Sequence, residues 1–115
     1  MQIEFEVDKV WLSAEAVDFR KSINGLCAIV EENFKDSPDE GIYIFYNKGK
    51  NRLKILGWHG NGFILLYKRL EKGRFTIGSL ESHLSLSSSQ LKWLLSGLDW
   101  ELLTNWDKSK FSNYF

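Results

Sequence analysis

A chain of 115 residues, 43% hydrophobic and 15% aromatic, has room for one globular domain that buries roughly two thirds of its unfolded surface, and no comfortable room for a second. Its single cysteine, Cys27, excludes an internal disulfide, its first residues lack the basic and apolar regions of a signal peptide, and its longest apolar run, Phe63 to Tyr67, is too short to span a bilayer. Formal charge is zero overall, so no bulk acidity or basicity marks a partner, and an intracellular, cytoplasmic protein is expected.

In chain order, Phe5 and Val7 alternate with Glu4, Glu6 and Asp8 ahead of Val10, Trp11 and Leu12, the period of a half-buried strand. Asp18 is a suitable N-cap for a helix whose apolar stripe, Phe19, Ile23, Leu26, Cys27, Val30 and Phe34, predicts a span to about Asn33. Gly25 inside it calls for a packing or functional reason. The sequence Asp36-Ser37-Pro38-Asp39-Glu40-Gly41 then reads as a loop.

Three strands follow, Ile42 to Tyr46, Arg52 to Trp58 and Phe63 to Leu70, joined as an antiparallel meander through Asn47–Asn51 and Gly60-Asn61-Gly62. A two-residue turn, whether Gly60-Asn61 or Asn61-Gly62, groups Arg52, Lys54, Leu56 and Trp58 with Phe63, Leu65, Tyr67 and Arg69 on one face. Leu53, Ile55, Ile64, Leu66 and Lys68 then occupy the other. The second face is expected to pack on a helix and the first, basic and aromatic, to be the working surface. Beyond Lys72-Gly73-Arg74 come a short strand around Phe75 to Ile77 and the stretch His83–Leu86. A second helix opens with the capping box Ser87…Gln90 and carries Leu91, Leu94, Leu95 and Leu98 as its stripe, with Gly97 as its C-terminal cap. Asp99-Trp100 packs back on the body, and residues 104–115 form a mobile end or a docking peptide. The fold class is α+β, an antiparallel β-meander packed with two α-helices in a single domain.

The charges are strongly segregated. Between Gly41 and Phe75, eight cations (Lys48, Lys50, Arg52, Lys54, Lys68, Arg69, Lys72, Arg74) face one acid, Glu71, a local charge of +7, whereas the first forty residues set four cations against ten acids, −6. Lys and Arg interleaved with aromatic rings suit a polyanion, because phosphate attracts the cations and bases stack on the rings. These eight, with Arg20 and Lys21 at the rim and Trp58 or Tyr67 for stacking, are the candidate nucleic-acid-binding residues. The same charges would also serve as the solvated side of an ordinary sheet. His59, His83 and Cys27 have no metal-ligand spacing, so no metal or other cofactor is expected. Glu31, Glu32, Asp36, Asp39 and Glu40 read as a solvated acidic patch rather than a catalytic centre.

Blocks at Asp18–Leu26, Asn51–Phe63, Tyr67–Phe75 and Leu91–Trp100 together resemble the small accessory protein of the second open reading frame of insertion sequences of the IS-sixty-six type (TnpB type), over Val7 to Trp100. His59, Ser22 and Thr76-Ile77 depart from the family's usual residues. The resemblance implies a non-catalytic part in transposition, alongside a separate transposase that carries the DNA-cutting acids. The partners it implies are DNA and that transposase. Docking on the transposase through the acidic helix and aromatic tail, without DNA contact, is the rival expectation.

Overall fold

The run Ile42-Tyr43-Ile44-Phe45-Tyr46 has no polar position, and in the computed structural model, which describes residues 9–96, it forms a strand buried along its whole length. A strand apolar on both sides needs cover on both sides, and the rest of the chain supplies it. In order, the elements are β1 (Val10–Leu12), α1 (Ile23–Ile29) prolonged by a π-helical turn (Val30–Phe34), a 3-10 turn (Pro38–Glu40), β2 (Ile42–Tyr46), β3 (Arg52–His59), β4 (Gly62–Arg69), β5 (Leu84–Leu86) and α2 (Ser88–Leu95). They make one α+β domain on a five-stranded sheet of order β4-β3-β2-β1-β5.

The meander β2-β3-β4 is antiparallel as expected, and its register pairs Arg52 with Arg69, Lys54 with Tyr67, Leu56 with Leu65 and His59 with Gly62. The turn is therefore Gly60-Asn61, with Gly60 at φ +62°, a value glycine reaches without strain. The unexpected pairing is β1, which lies parallel to β2 on one side and antiparallel to β5 on the other. A parallel neighbour needs a crossover, and α1 with its flanking loops is that crossover.

Two cores result. On one face, Val10, Leu12, Ile42, Ile44, Tyr46, Leu53 and Ile55 pack with Phe75, Ile77, Leu86, Trp93 and Leu94 from the 70–86 segment and α2. On the other, Tyr43, Phe45 and Leu56, with Phe63 and Leu65, pack under Leu26 and Val30 of α1 and against Phe34. The face expected to be open is thus covered by the first helix. Leu56, Phe63 and Leu65 outweigh the cations of that face, and apolar rows of this length are not left in water. Phe75 and Ile77 are buried, in irregular chain rather than the expected strand.

The first helix begins later than its stripe suggested. Ser22 stands at the N-cap, while Asp18 holds a turn ahead of it, its carboxylate accepting from the Arg20 backbone N–H at 2.9 Å. Gly25 has its reason: a Cβ there would lie 3.1 Å from Cβ and Cγ of Lys21, whose side chain runs against the helix. The capping box of α2 forms with both arms, Gln90 N–H to Ser87 Oγ at 3.1 Å and Ser87 N–H to Gln90 Oε1 at 2.8 Å. Phe5 to Val7, the Gly97 cap, Asp99-Trp100 and the 104–115 tail lie outside the described residues.

Burial also sets an alkaline limit. The Tyr43 hydroxyl, desolvated and donating toward Asp36 at 3.3 Å, is pushed well above the ordinary tyrosine value, and Tyr46 is raised by desolvation and by Glu15. Below the unfolded value of about 10, both states keep these protons. Above it the unfolded chain releases them first, so unfolding is favoured as pH rises. The midpoint of urea unfolding is expected to fall steadily above about pH 10, and less steeply in Tyr43→Phe. An unchanged slope in that variant would remove Tyr43 as the cause.

Candidate nucleic-acid interface

Strand direction decides where the cations go. Strand β2 ends, β3 begins and β4 ends at the same edge of the sheet, so the Asn47–Asn51 turn and the segment after Arg69 are neighbours. They are laced together by Leu70 N–H to Asn51 O at 2.8 Å and Phe75 N–H to Lys50 O at 2.6 Å. Asn47 braces the turn: its Oδ1 accepts from the backbone of Asn51 and Arg52 at 3.1 and 3.0 Å. The loop 17–21 reaches the same end, since Val17 N–H donates to Tyr46 O at 2.9 Å. The positive charge is therefore gathered at one end of the sheet rather than spread over a face. Asp36, Asp39 and Glu40 precede Ile42 at the opposite end, where Ile42 pairs with Gly57.

The twelve candidates divide by what their side chains already do. Lys21, Lys48, Lys72 and Arg74 are exposed. Arg20 and Arg69 are exposed but ion-paired, Arg20 with Asp18 at 2.6 Å and Arg69 with Glu71 at 2.9 Å. The Arg20 guanidinium, then the Arg20 backbone N–H, hold the Asp18 carboxyl down at about 2. Arg52 is partly buried; its guanidinium has no acceptor among the described residues, and its Nε is out of contact with solvent.

Three lysines are committed to backbone carbonyls. Lys54 is only 8% exposed, and its ammonium donates to Phe19 O at 2.8 Å and Lys21 O at 2.6 Å, 5.0 Å from the Phe19 ring centre. It is a strut that holds the 18–21 turn over the sheet. Lys50, in the left-handed region at φ 56°, donates to Ile77 O and pins the crossing segment. Lys68, on the other face, donates to Leu95 O at 2.7 Å, at the C-terminal end of α2 where the helix dipole favours a cation. Each of these three ammonium groups, expected to reach outward to a ligand, already satisfies a local backbone carbonyl that a ligand would have to compete with.

Of the two rings, Tyr67 sits at the cationic end and is 53% exposed, the one exposed large hydrophobic among the described residues. Trp58 does not join it. Four residues along β3 from Lys54, the cross-strand partner of Tyr67, and about 13 Å away, it packs edge-on to Phe63 with ring centres 5.0 Å apart and donates to Gly60 O at 3.1 Å.

The remaining polar features are structural. His83 stacks on Phe34 at 3.7 Å, accepts from Ala14 N–H at 2.8 Å through Nδ1 and faces Asn33 O at 3.3 Å through Nε2, which latches the end of α1 to β1 and β5. It borders a groove of about 510 Å³ lined by Ser13–Val17, Asn33 and Glu81–His83. Burial, then Glu31, raise the Cys27 thiol, the condition of an unreactive cysteine. Among the described residues no three His, Cys, Asp or Glu side chains converge as a metal site, and no helix is long and apolar enough to cross a membrane.

Comparison with known proteins places these features in a lineage. A family description, "IS66 Orf2 like protein", matches residues 8–105. Two relatives from Sinorhizobium fredii (strain NBRC 101917 / NGR234), the uncharacterized proteins y4hO and y4jC, are each 35% identical over 94 residues. That stretch is 80% of this chain and 82% and 80% of theirs. No solved structure matches.

Proposed function

Because the chain belongs to the IS66 Orf2-like family, we propose that it is a non-catalytic accessory factor for transposition of an insertion sequence, and that it binds the DNA backbone in the cytoplasm through the cationic end of its sheet. The observation that supports this is the convergence of Lys21, Lys48, Lys72 and Arg74, all exposed, with Arg52 and Arg69 at the paired ends of β3 and β4, at an end of the sheet where the 47–51 turn and the 70–75 segment are hydrogen-bonded to one another. Backbone bracing keeps that end in one shape, so little order has to be imposed when phosphates arrive. Contacts of this kind give affinity without sequence choice. The transposase is the proposed protein partner. The acidic residues Asp36, Asp39 and Glu40 at the far end leave a second, oppositely charged surface for it.

The test is a DNA-binding titration at several salt concentrations. Each phosphate contact contributes about 0.9 to the slope of log affinity against log salt, so Lys48→Ala/Lys72→Ala/Arg74→Ala is expected to flatten the slope by about 3. Lys50→Met and Lys68→Met should leave the slope in place. Binding independent of salt, or a slope unchanged in the triple variant, refutes the reading.

A further inference from the structure

Arg52 and Arg69 stand directly opposite one another on adjacent strands, side chains on the same face. Like charges in that relation oppose pairing. Only one of them has an acid: Glu71 takes Nε and Nη2 of Arg69 at 3.2 and 2.9 Å, in a pair that is more than half exposed on both sides. Such a pair is weak and yields readily to a competing anion. Arg52 has no such partner among the described residues, and although its Nε is buried the residue is partly exposed, so a ligand would meet the outer part of its guanidinium. An arginine without an acid, paired across the ladder with a second arginine, is an arrangement that an oxyanion completes, because a guanidinium's fork of donors matches a phosphate geometrically.

The next row of the same face supplies a ring. Tyr67, two residues before Arg69 and about 7 Å along the strand, pairs across the ladder with Lys54. The ring is supported by Phe19, with centres 6.2 Å apart, and by the Lys54 ammonium 6.0 Å from its centroid. Because Lys54 is fixed by Phe19 O and Lys21 O, the ring rests on a rigid base while half its surface stays in solvent. A rigid, exposed ring beside a phosphate seat is how proteins hold unpaired bases, whose faces a duplex hides.

We propose that the corner formed by Arg52, Arg69 and Tyr67 takes an unpaired nucleotide of DNA, its phosphodiester between the two guanidinium groups and its base stacked on Tyr67. The proposal rests on the DNA-binding reading and adds to it a preference for single-stranded DNA. At a transposon end, such a site would hold a frayed or cut strand.

The test uses the full chain and fluorescence anisotropy with a labelled oligothymidine and a duplex of equal length, at one low salt concentration. Single strand is expected to bind more tightly than duplex. Tyr67→Ala should weaken single-strand binding about tenfold and duplex binding less, whereas Tyr67→Phe keeps the preference. Arg52→Gln should weaken single-strand binding by about tenfold as well. Thermal unfolding of each variant near the wild-type midpoint separates lost contact from lost fold. Equal affinity for the two forms, or equal losses from both in Tyr67→Ala, overturns this proposal and leaves backbone binding standing. Binding to neither form overturns both.

Discussion

Lys54→Met is expected to lower the free energy of unfolding by about 2–4 kcal/mol, since it strips the donor from two carbonyls at once and each orphaned group costs roughly 1–3 kcal/mol. Methionine keeps the length and apolar stem, so the loss isolates the ammonium. In a domain of this size the melting midpoint should drop by roughly 8–16 °C. Lys48→Met, at an exposed turn position, is the matched control and should move stability by less than about 0.5 kcal/mol. The damage should be local as well as global: amide exchange ought to rise first in the 18–21 turn and the start of α1, which the Phe19 and Lys21 carbonyls anchor. If Lys54→Met melts with Lys48→Met and only weakens DNA binding, then Lys54 is a contact residue and not a strut.

The second large effect concerns the face that α1 covers. Leu56 is fully buried between Tyr43, Phe45 and Leu26, so Leu56→Ala is expected to cost about 3 kcal/mol, from lost burial plus the cavity left under a helix that cannot fully collapse onto it. An open, solvated face would lose well under half as much from the same change. Chemical denaturation of the variant therefore decides between the covered and open sheets directly. A loss below about 1 kcal/mol would mean that α1 does not seal this surface in solution.

The meander, its two faces and the capped start of α2 were legible because each is written locally. Gly60-Asn61-Gly62 signals a two-residue turn in either of two registers that share the same faces, alternation sets those faces, and Ser87 with Gln90 marks a helix start. The charge segregation was legible too, but its placement was not. Alternation assigned Arg52, Lys54, Tyr67 and Arg69 to one face correctly, yet a lysine in such a row looks the same whether it meets solvent or two backbone carbonyls. Ile42–Tyr46 held the missing information: a strand with no polar side cannot belong to a sheet with one open face. The parallel partnership of β1 with β2 depends on a crossover of some thirty residues, and no local pattern announces it. Asp18 misled because the same carboxylate that caps a helix also closes a turn, here with Arg20.

Strand β1, between β2 and the edge strand β5, is the one assembled from the most distant parts of the chain. Val10 sits between Ile42 and Leu86, so its neighbours are synthesised long after it, whereas β2, β3 and β4 need only short loops to meet. Contacts that span most of a chain carry a high closure entropy and form late. The meander is accordingly the natural nucleus, and the first strand must wait on the ribosome, its apolar side chains unsheltered, until the residues around Leu86 have emerged to close the gap.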